Sequence, residues 1–157
     1  MVSYNVAFFG HRYIENPKMV EERLEAHVRR ILNEDPYADF MVGRNGEFDW
    51  LAAATVRRIR KNMENVDCRL ILLMPYLTVE YMQNQEEYER YYDHIWVCGK
   101  SEKVHPKSAI GVRNREMVDE ANLVVCYVKS QRGGACAAMR YALHKGKTVI
   151  NLADEGE

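Results

Sequence analysis

Six short apolar runs recur along the chain, and the stretches between them carry hydrophobic residues at helical spacing. The runs are YNVAFF (4–9), ADFMVG (38–43), CRLILLM (68–74), HIWVCG (94–99), NLVVCYV (122–128) and KTVINL (147–152). The first of them is continuous rather than alternating. Strands of that kind are apolar on both faces and belong in a parallel sheet covered by helices on each side. Between the first two runs, Asn16-Pro17 supplies a helix cap and a first-turn proline, and Val20, Leu24, Val28, Ile31 and Leu32 follow on one face. After the second run, Asp49 is placed to cap a helix carrying Ala52, Val56, Ile59 and Met63. A Tyr-rich segment over 79–93 reads as a third helix, 101–109 as a mobile loop, and 110–121 and 133–146 as two more helices, the last closed by Gly146. Five β-α units and a final strand predict an α/β fold. The expected form is a Rossmann-like three-layer α/β/α domain over residues 1–157, with a mostly parallel sheet of about six strands.

Length and charge set the outer bounds. At 157 residues the chain suits one core. Its 22 basic and 23 acidic residues nearly cancel, so no overall field draws it to nucleic acid or to an anionic membrane. No apolar run is long enough to span a bilayer, and the N-terminus lacks the pattern of a signal peptide. Cys68, Cys98, Cys126 and Cys136 are widely spaced, which suits reduced, buried thiols in a cytoplasmic protein. The histidines show no metal-ligand spacing, and no metal or cofactor is expected.

Parallel sheets bind ligands beyond the carboxyl ends of their strands, near the point where strand order reverses. Three polar turns bearing glycine follow strands on that edge: FFGHR, VGRNGEFD and SQRGGACAA. Glycine lets backbone N–H groups approach an oxyanion, and the start of the next helix adds unpaired donors. Gly133-Gly134 is the best anion site, with Arg132 beside it. Gly10, His11, Arg12, Gly43, Arg44 and Gly46 supply the other two turns, the arginines as forked phosphate donors. Arg113 and Asn114, at the expected start of the fourth helix, can reach the same edge. Glu47 and Asp49 suit sugar hydroxyls, or an acid and base beside the sugar. Each piece also has a plainer reading. Asp49 can simply cap its helix, Glu47 can pair with Arg44, His11 can stabilise its turn, and Arg113 can sit on an exposed helix start. RRIRK (57–61) is read as a solvated helix face.

The segments FFGHR, GEFDWLAA, RNREMVDEANLVV and GGACAAMRYALHKGKTVINL, in this order, resemble the SLOG superfamily, named for the DNA-processing protein DprA (Smf) and the LOG enzymes. Within it they look like the small bacterial and phage proteins of YoqJ and YpsA type. The resemblance implies a Rossmann-like sheet with a nucleotide-type pocket at the glycine turns. LOG enzymes cleave the bond between a base and ribose 5′-monophosphate through a PGGxGTxxE signature. Laid on Gly133-Gly134, that signature meets Arg132 in place of the Pro, Cys136 in place of the third Gly, Ala137 in place of the Thr, and Arg140 in place of the catalytic Glu. The expectation is therefore a module that binds or senses a nucleotide or nucleotide-sugar. A nucleoside 5′-monophosphate N-glycosidase using Glu47 and Asp49 is the alternative, and single-stranded DNA binding in the manner of DprA is a more distant one. The resemblance further implies a homodimer or higher homo-oligomer, with no membrane partner.

Overall fold

The computed structural model describes residues 3–155. Six parallel strands form one sheet in the order β4-β3-β2-β1-β5-β6: β1 (Asn5–Gly10), β2 (Asp39–Val42), β3 (Arg69–Met74), β4 (His94–Val97), β5 (Leu123–Tyr127) and β6 (Thr148–Asn151). Seven helices connect them: α1 (Pro17–Glu34), α2 (Glu47–Asn62), α3 (Val79–Gln83), α4 (Gln85–Tyr91), α5 (Gly99–Glu102), α6 (Pro106–Glu120) and α7 (Gly134–His144).

The four inner strands β1, β2, β3 and β5 are buried on both faces, and their successive side chains feed two separate cores; the edge strands β4 and β6 are only partly covered, with Trp96 of β4 46% exposed. Val6, Phe8, Phe40, Val42, Leu70 and Leu72 pack against α1, α2 and the tyrosines of α4. Ala7, Phe9, Met41, Ile71, Val124 and Cys126 pack against α6 and α7. All four cysteines are buried, and Cys126 is pushed up to about 12 by burial first, with Asp154 and Cys136 adding to it. No helix among the described residues is long and apolar enough to cross a membrane.

Strand order fixes where a ligand can sit. The chain moves outward from β1 to β4, then α5 and α6 carry it back to β5 on the other side of β1. The carboxyl ends of β1 and β5 thus flank the switch point.

Several local expectations change. The Tyr-rich helix is two short helices that break at Asn84, with Tyr88 and Tyr92 buried in the core. The segment expected as a mobile loop is mostly helical, with α5 at one end and α6 beginning at Pro106. Ser101 is fully buried there, and its hydroxyl donates to Pro75 O at 2.6 Å, with Cys98 O as a second, longer acceptor at 3.1 Å. In RRIRK, Arg57 lies 4.2 Å over the Tyr91 ring, Arg58 pairs with Glu21 and Glu25, and Arg60 pairs with Asp93.

Candidate functional site

The β1–α1 loop is held in place from two sides. On one side it is stitched to the start of α2. Glu47 N–H donates to Arg12 O, Phe48 N–H donates to His11 O, and the Glu47 carboxylate accepts from Ile14 N–H at 2.8 Å. The approach is close enough to demand glycine twice. A Cβ on Gly10 would stand 2.1 Å from Cγ of the buried Phe48 ring, and one on Gly46 would stand 2.5 Å from Arg12 Cα. On the other side, His11 Nε2 accepts from Lys129 N–H at 2.9 Å and from Ser130 N–H at 3.2 Å. A nitrogen that accepts two N–H groups carries no proton, so the ring is the neutral Nδ1–H tautomer. Burial lowers the His11 pKa and favours that form. His11 therefore joins the β1 loop to the β5 loop across the switch point.

These loops enclose a cavity of about 220 Å3. Gly10, His11 and Arg12 form one wall, Gly43, Asn45 and Asp49 a second, and Gly133, Gly134 and Ala135 a third. Ile110, Arg113, Asn114 and Met117 of α6 close it from the face of the sheet. At the liquid share of about 30 Å3 for each water, the space holds about seven, room for a phosphoryl group with part of a sugar.

Arg113 dominates the electrostatics. It is only 3% exposed, in the middle of α6 rather than on an open helix start. Its Nε donates to Asn114 Oδ1, one terminal nitrogen donates to Leu73 O at 2.8 Å, and the other donates to Asn45 Oδ1 at 2.7 Å. Gly43 makes room for it, since a Cβ there would lie 3.1 Å from the guanidinium nitrogens. No carboxylate among the described residues forms an ion pair with it. Desolvation lowers its pKa, with the nearby charge of Asp49 opposing. Asp49 shows the converse shift. Burial raises its pKa, against the Asn45 N–H bond at 2.8 Å and the charge of Arg113. Asp49 is not the helix cap expected from the sequence. The cap is Gly46, and Asp49 sits in the first turn and reaches back to the loop.

At the third wall, Gly133 has φ +97° and ψ 174°, a conformation essentially confined to glycine, and α7 starts immediately after it. A Cβ at Gly133 would meet nothing within 4 Å, so this glycine serves the backbone path rather than packing.

The cavity thus unites Gly10, His11, Arg12, Gly43, Asp49, Arg113, Gly133 and Gly134. Four other expected residues lie outside its wall. Glu47 is turned away and spent on Ile14 N–H. Gly46 is used for the packing contact with Arg12. Arg132 is exposed on the rim, and only its backbone N–H is bonded, to Ser130 Oγ. Arg44 points to the neighbouring side of its turn, where its guanidinium lies 3.9 Å over Trp50 and 4.4 Å over Tyr88. Asn45 was not anticipated as a site residue, although it stands at the centre of GRNG. It ties together Asp49, Arg113 and the turn. Among the described residues no cluster of His, Cys, Asp and Glu could hold a metal.

No known family model matches this chain, and no curated protein matches it. Solved structures do. DNA processing protein A (DprA) from Streptococcus pneumoniae superposes with a TM-score of 0.69 at 16% identity, over 94% of this chain and 49% of that one. DNA processing protein A from Helicobacter pylori, whose structure was described for its single-stranded DNA binding mode, gives a TM-score of 0.66 at 16% identity, over 94% and 64%. This chain thus spans about half of the first protein and under two thirds of the second. At that identity the likeness shows the fold, and it is the fold that the SLOG resemblance implies.

Proposed function

We propose that the cavity at the switch point binds a nucleotide or a related phosphorylated sugar. The observation that carries this reading is Arg113, a buried guanidinium in the cavity wall with no carboxylate paired to it. Burying a charge that the nearby Asp49 offsets only in part is costly, and a site that retains one is suited to an anion that arrives from outside. Gly133-Gly134 and the first turn of α7 add backbone donors, and Asn114, next to Gly134, adds its amide. Asp49 and Asn45 suit the hydroxyls of a sugar between them. The narrower likeness to proteins of YoqJ and YpsA type belongs to the same proposal. The test is calorimetric titration with the four common nucleoside 5′-monophosphates, ADP-ribose and sugar phosphates. Saturable binding by at least one, competed by inorganic phosphate, is expected. Absence of binding across the whole panel would overturn the reading.

A second reading rests on Asp49 alone. A carboxylic acid in the cavity with a raised pKa is fitted to donate a proton to a leaving base. It requires free base to appear when nucleotide is incubated with the protein, and Asp49→Asn to stop it. Release that persists in that variant assigns the chemistry elsewhere.

A further inference from the structure

A second cavity of about 70 Å3 opens on the far side of Arg113. Asn45, Ile110 and Arg113 belong to the walls of both cavities, so the two are adjoining compartments. The second one lies over the ends of β2 and β3, and Arg44 forms its other cationic wall. Its remaining polar groups include Thr78, Tyr88 and one carboxylate, Glu80.

Arg44 is held as a fixed donor. Its guanidinium lies over the rings of Trp50 and Tyr88, at 3.9 Å and 4.4 Å, which restricts its movement. One terminal nitrogen donates to Tyr92 Oη at 3.1 Å and the other donates to Glu80 at 3.4 Å. That carboxylate is 62% exposed, so the pair is weak and easily exchanged. Arg44 Nε is buried with no partner. Arg113 contributes its unpaired charge from the other side, and one hydrogen on each of its terminal nitrogens has no protein acceptor. The second cavity is therefore cationic on two walls.

Size narrows what fits. At the liquid share of about 30 Å3 for each water, the space holds about two. That is too small for a nucleobase and takes only a compact group, such as the oxygens of a phosphoryl.

We infer that the ligand carries a second phosphoryl group, which enters the cavity between Arg44 and Arg113 while the first occupies the compartment at Gly133-Gly134. The inference rests on the nucleotide reading of the first cavity and makes it narrower. The preferred substrate class is a nucleotide phosphorylated at two separate positions, with Arg113 as the shared donor.

The experiment compares each nucleoside 5′-monophosphate with its 3′,5′-bisphosphate by calorimetry, on the wild-type protein and on Arg44→Gln and Glu80→Gln. The bisphosphate is expected to bind at least about tenfold more tightly than the monophosphate, the gain of one further charge-assisted contact. Arg44→Gln should erase that advantage. Glu80→Gln, which removes the competing carboxylate from an exposed position, should enlarge it. Circular dichroism of Arg44→Gln checks that the turn still folds, and Glu80→Gln gives an independent reading where it does not. Equal affinity for the two nucleotides in wild type, with neither variant changing the ratio, would overturn the second phosphoryl site but leave the first cavity standing. Failure of both nucleotides to bind would overturn the reading beneath it as well.

Discussion

Replacing Arg113 with Met separates a residue kept for folding from one kept for a ligand. The side chain is 3% exposed and makes three hydrogen bonds, so a purely structural account expects its loss to be severe. The magnitudes point the other way. A guanidinium buried without a paired carboxylate carries a desolvation cost of several kcal/mol, and an apolar residue of similar length removes it. Against that gain stand the acceptors left behind, each costing about 1–3 kcal/mol where water cannot reach. Asn45 is exposed and Asn114 borders the cavity, so water can replace the arginine at both, which leaves Leu73 O as the chief loss. The two effects nearly offset each other, and the net change in stability is expected within about 2 kcal/mol in either direction. For a chain of this size that is a melting shift of at most about 8 °C. Nucleotide affinity should suffer far more. Loss of a charge-assisted contact costs about 1.5–3 kcal/mol, or roughly 10- to 150-fold in affinity. Urea denaturation gives the first quantity and calorimetry the second. A variant destabilised by more than about 4 kcal/mol, whose remaining folded fraction binds nucleotide as tightly as wild type, would refute the reasoning and make Arg113 a structural residue.

Two further outcomes follow from the loops. Gly10→Ala places a Cβ 2.1–2.5 Å from three atoms of the fully buried Phe48 side chain, so about 3 kcal/mol of stability should be lost, seen as a melting temperature lower by roughly 6–12 °C. A shift below about 2 °C would mean that Phe48 yields easily. The link through His11 should depend on pH. Its pKa is lowered on folding from 6.5, so it contributes stability above that value and loses it as pH falls through the lower folded value. Protonation puts a hydrogen on Nε2, which then cannot accept from Lys129 and Ser130. Amide exchange at those two residues, corrected for intrinsic rates, should accelerate from pH 7 to about pH 5, and uniform protection across that range would remove His11 from the role.

Much of the architecture could be read from periodicity. Each apolar run became a strand; the four inner ones are covered on both faces and leave no polar alternation, whereas the edge strands β4 and β6 keep exposed positions. The Asn16 cap and Gly146 beyond the end of α7 stand where helix-end chemistry places them. The Tyr-rich segment was harder. Val79 to Tyr91 has helical composition throughout, but Asn84 interrupts it, ending α3 and capping the start of α4. The segment from Ser101 to Ser108 looked mobile because it is polar, yet Ser101 is anchored by two carbonyls that are distant in sequence or set by local geometry. At the site, the glycine turns of β1 and β5 and Arg113 could be found in the sequence because strand order brings them together. The direction of Arg44 could not. That depends on Trp50 and on Tyr88, which is 44 residues away in sequence and whose ring lies under the guanidinium.

The two carboxylates of the first turn of α2 show how local geometry decides chemistry. Glu47 and Asp49 are adjacent enough in sequence to read as an acid and a base. On a helix, two residues subtend about 200°, so their side chains leave on nearly opposite sides. Glu47 turns toward the β1–α1 loop, where it binds Ile14 N–H, and Asp49 turns into the cavity. Glycoside cleavage by two carboxylates needs both groups flanking one bond. This arrangement offers one. With Arg140 in place of the LOG-type Glu, no second acid is supplied from α7 either. The cavity wall holds a single carboxylate with a raised pKa and a buried arginine that forms no ion pair with it. That combination fits the holding of an anionic ligand with a hydroxyl set against Asp49 better than it fits a two-carboxylate hydrolysis.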